Sequence, residues 1–133
     1  MRDKLVHVVA GVIEKGDRVL IAQRKAGSKM AFKWEFPGGK VERGESPVQS
    51  LERELFEEFE IQADIGTLIG ESIFDYGDVS IKLTAYKVSS FAGDFKLKDH
   101  EQIKWADPGE LSTYDLTDAD IPIAALLLAM HHK

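Results

Sequence analysis

The segment 38–58 constrains this chain more than any other, because it joins a glycine pair to a short and strongly patterned helix. Ser46 is a suitable N-cap, Pro47 suits the first helical position, and Gln49 completes a capping box. At about 100° per residue, four apolar side chains fall on one side and predict a buried stripe, namely Val48, Leu51, Leu55 and Phe59. The fold must therefore cover one face of this helix with a core.

Three carboxylates, Glu54, Glu57 and Glu58, occupy a different sector of the same helix. Glu54 and Glu58 are four residues apart, where like charges repel by roughly a few tenths of a kcal/mol. The helix carries no lysine, and Arg53 can offset Glu57 but little else. A solvated face is the usual interpretation of an acidic cluster, whereas a bound cation would remove this repulsion. Oxygen ligands without nearby His or Cys favour Mg²⁺ or Mn²⁺ over zinc.

Composition and charge narrow the class of protein. The chain has 133 residues, 44% of them apolar and 30% charged, so we expect one globular domain spanning residues 1–133. The formal net charge of −6 argues against stable nucleic-acid binding, which needs a cationic surface. A small nucleotide is still possible, because a bound metal and a few local cations can hold it.

No segment predicts export or membrane insertion. The longest apolar run, residues 121–130, contains Pro122 and is about half of the roughly 20 residues that cross a bilayer. Residues 1–4 lead into a strand pattern rather than a signal peptide. Because the chain also has no cysteine, a cytoplasmic setting is the expectation. The sequence leaves both a monomer and a homodimer open.

Alternating and glycine-punctuated patterns predict the remaining elements. Strands are expected at residues 5–13, 18–23, 34–36, 61–74, 79–88 and 102–105. Loops are expected at residues 26–33 and 91–100, and turns at residues 14–17, 37–39, 75–78 and 107–110. A last helix is expected at residues 121–132. Strands before, between and after two helices predict a mixed sheet with a helix on each face.

Read as a pattern, the central segment resembles the Nudix box. The pattern begins with Gly39 and, after five intervening residues, Glu45. After seven more residues it continues with Arg53-Glu54-Leu55, then Glu57-Glu58 and Glu60-Ile61, each separated from the preceding group by one residue. The resemblance covers residues 38–61, and Glu60 is its one departure, because the family has glycine there. The preceding Met30-Ala31-x-Lys33-Trp34-Glu35-Phe36-Pro37 resembles the MutT-type nucleoside triphosphate pyrophosphohydrolases in particular.

The resemblance implies an α/β/α sandwich that hydrolyses a nucleoside diphosphate linked to another group, with a divalent metal. It implies that the Gly38 carbonyl, Glu57 and Glu58 hold metal, and that Glu54 holds metal or takes a proton from water. Arg53 would orient these carboxylates. A further acid from a loop before a late strand matches either Asp99 or Glu101 in this sequence. Glu45 is interpreted either as an anion near the helix start or as a partner of Arg53.

The expected substrate is a nucleoside triphosphate, such as 8-oxo-dGTP or a cytidine triphosphate, cut to the monophosphate and pyrophosphate. Arg24 and Lys40 are candidates for phosphate contact. The MutT resemblance implies base recognition by four further positions, namely Glu35, Phe36, Pro37 and Lys29.

Asp120 matches another base-recognition position, where the MutT pattern has asparagine. A carboxylate only accepts hydrogen bonds unless it is protonated, so Asp120 would favour a base with N–H donors, either an exocyclic amine or the oxidised edge of 8-oxoguanine. The alternative role for Asp120 is the N-cap of the last helix.

Glu60 raises a question of stability. The family glycine ends the helix in the left-handed conformation, where a residue with a Cβ costs about 1–2 kcal/mol more. We therefore expect a shifted helix end.

Three rival functions are considered. One is hydrolysis of another nucleoside diphosphate derivative, such as ADP-ribose or a dinucleoside polyphosphate. Another is a non-catalytic module that keeps the fold for binding, which the intact acidic helix argues against. The third is a cation-binding regulator, which would bind metal without releasing phosphate.

Overall fold

The computed structural model describes residues 4–131. Within this range its elements are β1 Lys4–Lys15, β2 Arg18–Arg24, β3 Trp34–Glu35, β4 Gly38–Lys40, α1 Pro47–Phe59, β5 Gln62–Asp75, β6 Val79–Ala92, β7 His100–Ala106, a 3-10 helix at Pro108–Thr113, and α2 Ile121–His131. Two parts of the sequence-based predictions lie outside the described residues, namely the amino-terminal residues 1–3 and residue 132 of the last helix.

The sheet is mixed, as predicted. β1 and β6 run parallel in a continuous register from Lys4↔Val79 to Ile13↔Val88. The other pairings are antiparallel, and the strand order is β3-β2-β1-β6-β5, with β4 beside β1 and β7 beside β2. This pairing brings residues that are distant in the chain, such as those of β3, β4 and β7, to one region around β1 and β2.

Two apolar cores cover the two faces of the sheet. On one face Val9 and Ile13 of β1 pack with Leu55 and Phe59 of α1. On the other face the intervening β1 residue Val12 belongs to a core that includes the α2 side chains. Successive side chains of a strand point to opposite faces, so one strand supplies both cores. The predicted sandwich with a helix on each face is confirmed.

α1 begins where the capping pattern predicts. Ser46 Oγ accepts the Gln49 amide at 3.1 Å, and the Gln49 side chain accepts the Ser46 amide at 3.0 Å. Three residues of the predicted stripe are fully buried, Leu51, Leu55 and Phe59, but Val48 is only half-buried. Since the apolar stripe fixes the rotation of the helix, it also fixes the direction of the acidic sector.

Several local predictions were wrong. The glycine pair lies in β4 instead of a turn, because Gly38 and Gly39 pair with Ala10 and Val9 of β1. The end of α1 is not shifted: Glu60 itself takes the left-handed conformation, with φ 58°, and donates its N–H to the Phe56 carbonyl at 2.8 Å. Residues 107–110, predicted as a turn, lead into the 3-10 helix Pro108–Thr113. β6 continues four residues beyond its predicted end.

α2 is apolar on its exposed as well as its buried side. Ile123 and Leu127 face the core, whereas Ile121 and Met130 are about half exposed. The helix has 11 residues, and no helix within residues 4–131 is both long enough and apolar enough to span a membrane.

Candidate active site

Glu54 and Glu58 of the acidic sector of α1 line a cavity of about 830 Å³. Its floor is formed by apolar side chains of β1 and β6, such as Val8 and Leu83, and Glu54 and Glu58 line its wall. A second cavity of about 380 Å³ shares Arg24, Glu35 and Glu58 with the first, and Asp99 and His100 are among its other lining residues. Cavities of this size are in the range that holds small organic ligands.

The Arg53 guanidinium donates hydrogen bonds to three glutamates and to one backbone carbonyl. Its Nε donates to Glu45 at 2.8 Å, and its Nη1 donates to both Glu54 and Glu57 at 3.1 Å. Its Nη2 donates to Glu45 at 2.9 Å and to the Lys40 carbonyl at 3.2 Å. One guanidinium therefore ties the helix to the loop before it and to β4.

Of the two interpretations of Glu45, the structure places it as the partner of Arg53. Hydrogen bonds from Arg53, followed by one from the Ser50 hydroxyl at 2.6 Å, lower the pKa of Glu45 to about 2. The Glu45 hydrogen bond in turn raises the pKa of Arg53. Both charges are thus fixed across the neutral pH range, which suits a pair that orients other groups.

The Glu54 carboxylate lies so close to Gly39 that this position has no room for a side chain. A Cβ built on Gly39 would overlap the Glu54 carboxylate, and a Cβ on Gly38 would overlap the backbone carbonyl of Val9. The glycine pair therefore lets β4 lie close to β1 and to α1 at once. Burial raises the pKa of Glu54, against the opposing effect of Arg53.

Glu58 is the most strongly perturbed carboxyl of the helix. Burial raises its pKa to about 9, and the charges of Glu54, Glu35 and Asp99 add to the effect. Its Oε1 is buried without a hydrogen-bond partner. An orphaned carboxyl oxygen surrounded by other carboxylates is a typical preformed cation ligand, because a cation would satisfy the oxygen and offset the repulsion.

Glu57 lies outside the larger cavity. Its side chain is 59% exposed and paired with Arg53 at 3.1 Å. Within residues 4–131, no three His, Asp or Glu side chains stand close enough together to hold a metal ion as they lie. The structure thus brings Glu54 and Glu58 together at the cavity and leaves Glu57 beside them, facing Arg53.

Glu35 is held from two sides at the boundary between the two cavities. Arg24 Nη1 binds one carboxylate oxygen at 3.0 Å, and His100 Nε2 binds the other at 2.9 Å. Arg24 Nε also donates to the Lys29 carbonyl at 2.6 Å. The predicted phosphate ligand Arg24 is therefore engaged by protein groups, although it still lines both cavities.

Asp99 and Glu101, the two candidates for the further acid, lie in different surroundings. Asp99 lines the smaller cavity, and its charge contributes to the raised pKa of Glu58. Glu101 is exposed and lines neither cavity. The reason is a register shift between β2 and β7: Gln23 pairs with Gln102, but Arg24 pairs with His100, so Glu101 is the extra residue of a bulge.

Asp120 lines the larger cavity from the position just before α2, where its carbonyl accepts the Ala124 amide at 3.0 Å. Its Oδ1 accepts the Phe36 amide at 3.2 Å, and its Oδ2 accepts the Thr117 hydroxyl. Burial raises its pKa to about 7, and the nearby charge of Glu35 acts in the same direction. Phe36 lines the same cavity with its ring buried, whereas Pro37 is buried outside the cavity and its carbonyl accepts the Gly11 amide at 2.7 Å.

The predicted lysines are exposed at the rim. Lys29 and Lys40 both line the larger cavity.

Sequence reasoning did not single out two further residues of the site. Tyr76, which it placed in a turn, lines the larger cavity and accepts the Ala119 amide at 3.2 Å. His100, which sequence reasoning placed in a loop, is buried. Its position in the sequence between the two candidate acids could have indicated that it belongs to the site.

Comparisons with known proteins show which proteins this chain is similar to. The NUDIX domain model matches residues 4–127. The chain is 39% identical over 127 residues to the CTP pyrophosphohydrolase of Escherichia coli strain K12, covering 96% of this chain and 94% of that protein. It is 41% identical over 99 residues to the 8-oxo-dGTP diphosphatase of Proteus vulgaris, covering 74% and 88%. The solution structure of the E. coli ORF135 protein superposes with a TM-score of 0.87 at 39% identity, covering 96% of this chain and 91% of that one.

Proposed function

The chain belongs to the NUDIX family, and we propose that it hydrolyses a nucleoside triphosphate to the monophosphate and pyrophosphate. The similar proteins named above as a CTP pyrophosphohydrolase and an 8-oxo-dGTP diphosphatase support this reaction class. The observation that carries the proposal is the placement of Glu54 and Glu58, with raised pKa values, in the wall of a cavity large enough for a nucleotide.

NUDIX hydrolases generally use divalent metal ions, and we propose Mg²⁺ here, with Mn²⁺ as a substitute. The residues present fit such an ion: the donors are hard oxygens, and one oxygen of Glu58 is buried without a partner. Glu58 and the Gly38 carbonyl would hold it, and Glu57 would join them by turning from Arg53. When bound, the ion supplies charge neutralisation at the phosphoryl oxygens and a more acidic water.

The protein groups have separate roles in this reaction. Water attacks one of the two phosphorus atoms joined by the anhydride between the α- and β-phosphates. The bond from that phosphorus to the bridging oxygen breaks, and the bridging oxygen leaves on the other phosphate. Glu54, whose pKa burial raises, takes the proton of the attacking water. Arg53 keeps Glu54 oriented through its Nη1. Arg24 and Lys40, which line the cavity, contact the phosphate oxygens.

The base is selected by the buried wall around Asp120. The Phe36 amide and the Thr117 hydroxyl fix both oxygens of Asp120, which keep further lone pairs for a ligand. Above its pKa of about 7, Asp120 is ionised and only accepts, which favours a base edge with N–H donors, such as the exocyclic amine of cytosine or the oxidised edge of 8-oxoguanine. We propose cytidine triphosphates and 8-oxo-dGTP as the two substrates to test first.

A panel assay tests the proposal. The protein is incubated with Mg²⁺ and with CTP, dCTP, 8-oxo-dGTP, the other canonical triphosphates and ADP-ribose, and the products are separated by chromatography. We expect a monophosphate and pyrophosphate from CTP, dCTP or 8-oxo-dGTP at a higher kcat/KM than from the other nucleotides. Inorganic phosphate as the first product, or turnover of ADP-ribose alone, would contradict the assignment.

A further inference from the structure

His100 is a buried histidine that no step of the proposed reaction uses. Its side chain is 4% exposed, and its Nε2 lies 2.9 Å from an oxygen of Glu35. The carboxylate can only accept, so the Nε2 of His100 carries the proton and donates. The ring stacks on Phe59, the last residue of α1, with centroids 5.2 Å apart.

The other nitrogen of this ring is informative. Nδ1 of His100 is buried without a hydrogen-bond partner. An unpaired buried polar atom is unfavourable, and a phenylalanine at this position would stack on Phe59 without that disadvantage. The packing of the ring therefore does not account for a histidine here, whereas the hydrogen bond to Glu35 does.

The backbone also directs this side chain. In β7 the side chains of Ile103 and Trp105 pack on the α1 face, so a regular strand would turn Glu101 toward that face as well. The register shift in the pairing with β2 removes Glu101 from the alternation and sets His100 opposite Arg24. Arg24 and His100 thereby reach the two oxygens of one carboxylate.

We propose that His100 is a positioning residue that holds the Glu35 carboxylate in the wall of the nucleotide site. Glu35 borders both cavities. Its charge acts on Glu58 in α1 and on Asp120 at the base wall. Glu35 thus influences both the proposed cation ligand and the proposed base acceptor, and its orientation depends on His100 and Arg24. The inference rests on the proposed function.

Two substitutions separate the hydrogen bond from the packing. His100→Gln keeps an N–H donor and loses the stacked ring, whereas His100→Phe keeps a ring and loses the donor. We expect His100→Phe to lower kcat/KM for the preferred triphosphate by about tenfold, the range seen when outer partners of a site are removed. His100→Gln should retain more of the activity, although it should have the lower midpoint of thermal unfolding.

A purely structural role predicts the opposite order of activity, with His100→Phe the better enzyme because it packs better. That result, or wild-type kcat/KM in His100→Phe, would overturn the proposal. A second measurement is the coupling to Glu35: in a Glu35→Ala background, His100→Phe should cause no further loss. If His100→Phe does not fold, His100→Leu replaces it in both comparisons.

A binding measurement keeps this inference separate from the proposed reaction. Calorimetric titration with CMP in the absence of metal should give a weaker affinity for His100→Phe than for the wild-type protein. If the wild-type protein binds CMP but releases no pyrophosphate from any triphosphate, the proposed function fails and the order of CMP affinities still tests His100. Equal CMP affinities for the two proteins would overturn the role of His100.

Discussion

Burial of the Glu58 carboxyl makes the free energy of unfolding depend on pH. The pKa of this carboxyl in the folded protein is about 9, against an ordinary value of 4.5. Between these values the folded state keeps a proton that the unfolded state has released. The free energy of unfolding of the metal-free protein therefore contains a contribution that is complete below about pH 4.5 and is lost as the pH rises toward 9.

The substitution Glu58→Gln tests this balance, because glutamine has the same shape and does not titrate. In the presence of EDTA, the metal-free variant should be more stable than the wild-type protein near pH 8, by about 1–3 kcal/mol, and the difference should shrink toward pH 5. Urea unfolding at several pH values measures this. The same variant should lose metal-dependent turnover, and parallel stability curves for the two proteins would contradict the buried state of Glu58.

Asp99 and Glu101 provide a matched pair of substitutions. Because Asp99 lines the smaller cavity beside Glu58 and Glu101 lines neither cavity, Asp99→Asn should lower kcat by about 10²-fold if Asp99 assists proton transfer or cation binding. Glu101→Gln removes the same charge two residues away and should leave kcat near the wild-type value. Steady-state kinetics with Mg²⁺ distinguish them, and an equal loss in both variants would show that net charge matters instead of position.

At the level of single residues, the sequence was a better guide to the chemical role of a side chain than to the groups that the side chain contacts. Residue type and spacing singled out the acidic helix positions, since a helix places residues four apart on one side, and the family resemblance added the orienting role of Arg53. The choice between Asp99 and Glu101 depended on a strand bulge, which leaves no reliable mark in a sequence. The ion pair between Arg53 and Glu57, four residues apart on α1, was predicted from the spacing and is confirmed.

At the level of elements, β4 fits between β1 and α1 only because it carries glycine. Gly39→Ala should displace the Glu54 carboxylate, since the added Cβ would overlap it, and should therefore abolish most of the activity. Gly109→Ala is the control, because a Cβ there has no atom within 4 Å and the residue does not have a positive φ. Pyrophosphate release measures both variants. Near-normal activity of Gly39→Ala would show that Glu54 does not need its present position.

The end of α1 combines an unfavourable backbone with favourable charges. Glu60 has φ 58°, and its carboxylate pairs with Lys98 at 2.7 Å and with Lys96 at 3.6 Å. The three side chains are between 38% and 65% exposed, so salt should screen these pairs. The left-handed backbone, by contrast, is insensitive to salt, and glycine adopts it freely.

Glu60→Gly should therefore raise the midpoint of thermal unfolding, by about 2–4 °C, and the gain should be larger at 1 M NaCl than at low salt. Glu60→Gln is the control, because it loses the charge and keeps the strained backbone. It should lower the midpoint slightly at low salt and match the wild-type protein at high salt. A destabilising Glu60→Gly at high salt would mean that the backbone at this position is not strained.

Element boundaries followed local chemistry where local chemistry was strong. The start of α1 was predictable because Ser46, Pro47 and Gln49 act within one turn. The short strand β4 was not predictable, because it exists only through its pairing with β1. β3, by contrast, was predicted from its alternation at residues 34–36 and forms at Trp34–Glu35, where its pairing with β2 sets Glu35 beside the site. A short strand without such a local pattern, like β4, depends on tertiary pairing.

At the level of the whole molecule, the site is assembled from elements far apart in the chain. α1 supplies Glu54 and Glu58, β3 supplies Glu35, β7 supplies His100, and Asp120 lies just before α2. The mixed sheet and the helix on each face followed from the order of the predicted elements, but the contacts among these residues required the parallel pairing of β1 with β6 and the bulge in β7.

The whole domain should respond to a cation in a pH-dependent way. A ligand that binds the folded state alone raises the stability of the entire domain. Because Glu58 holds a proton in the metal-free protein up to about pH 9, a divalent cation must displace that proton, and its affinity should increase with pH. The increase in the unfolding midpoint caused by 10 mM MgCl₂, relative to EDTA, should accordingly be larger at pH 8.5 than at pH 6.5.

Differential scanning fluorimetry at the two pH values measures this response, and the matched variant is Glu58→Gln, which has no proton to release. In that variant the response to Mg²⁺ should be small and the same at both pH values. Calorimetric titration in two buffers of different ionisation enthalpy should show proton release on Mg²⁺ binding by the wild-type protein alone. A response of the wild-type protein that is equal at both pH values would mean that the cation is held without Glu58, by Glu54 and Glu57 beside it on α1.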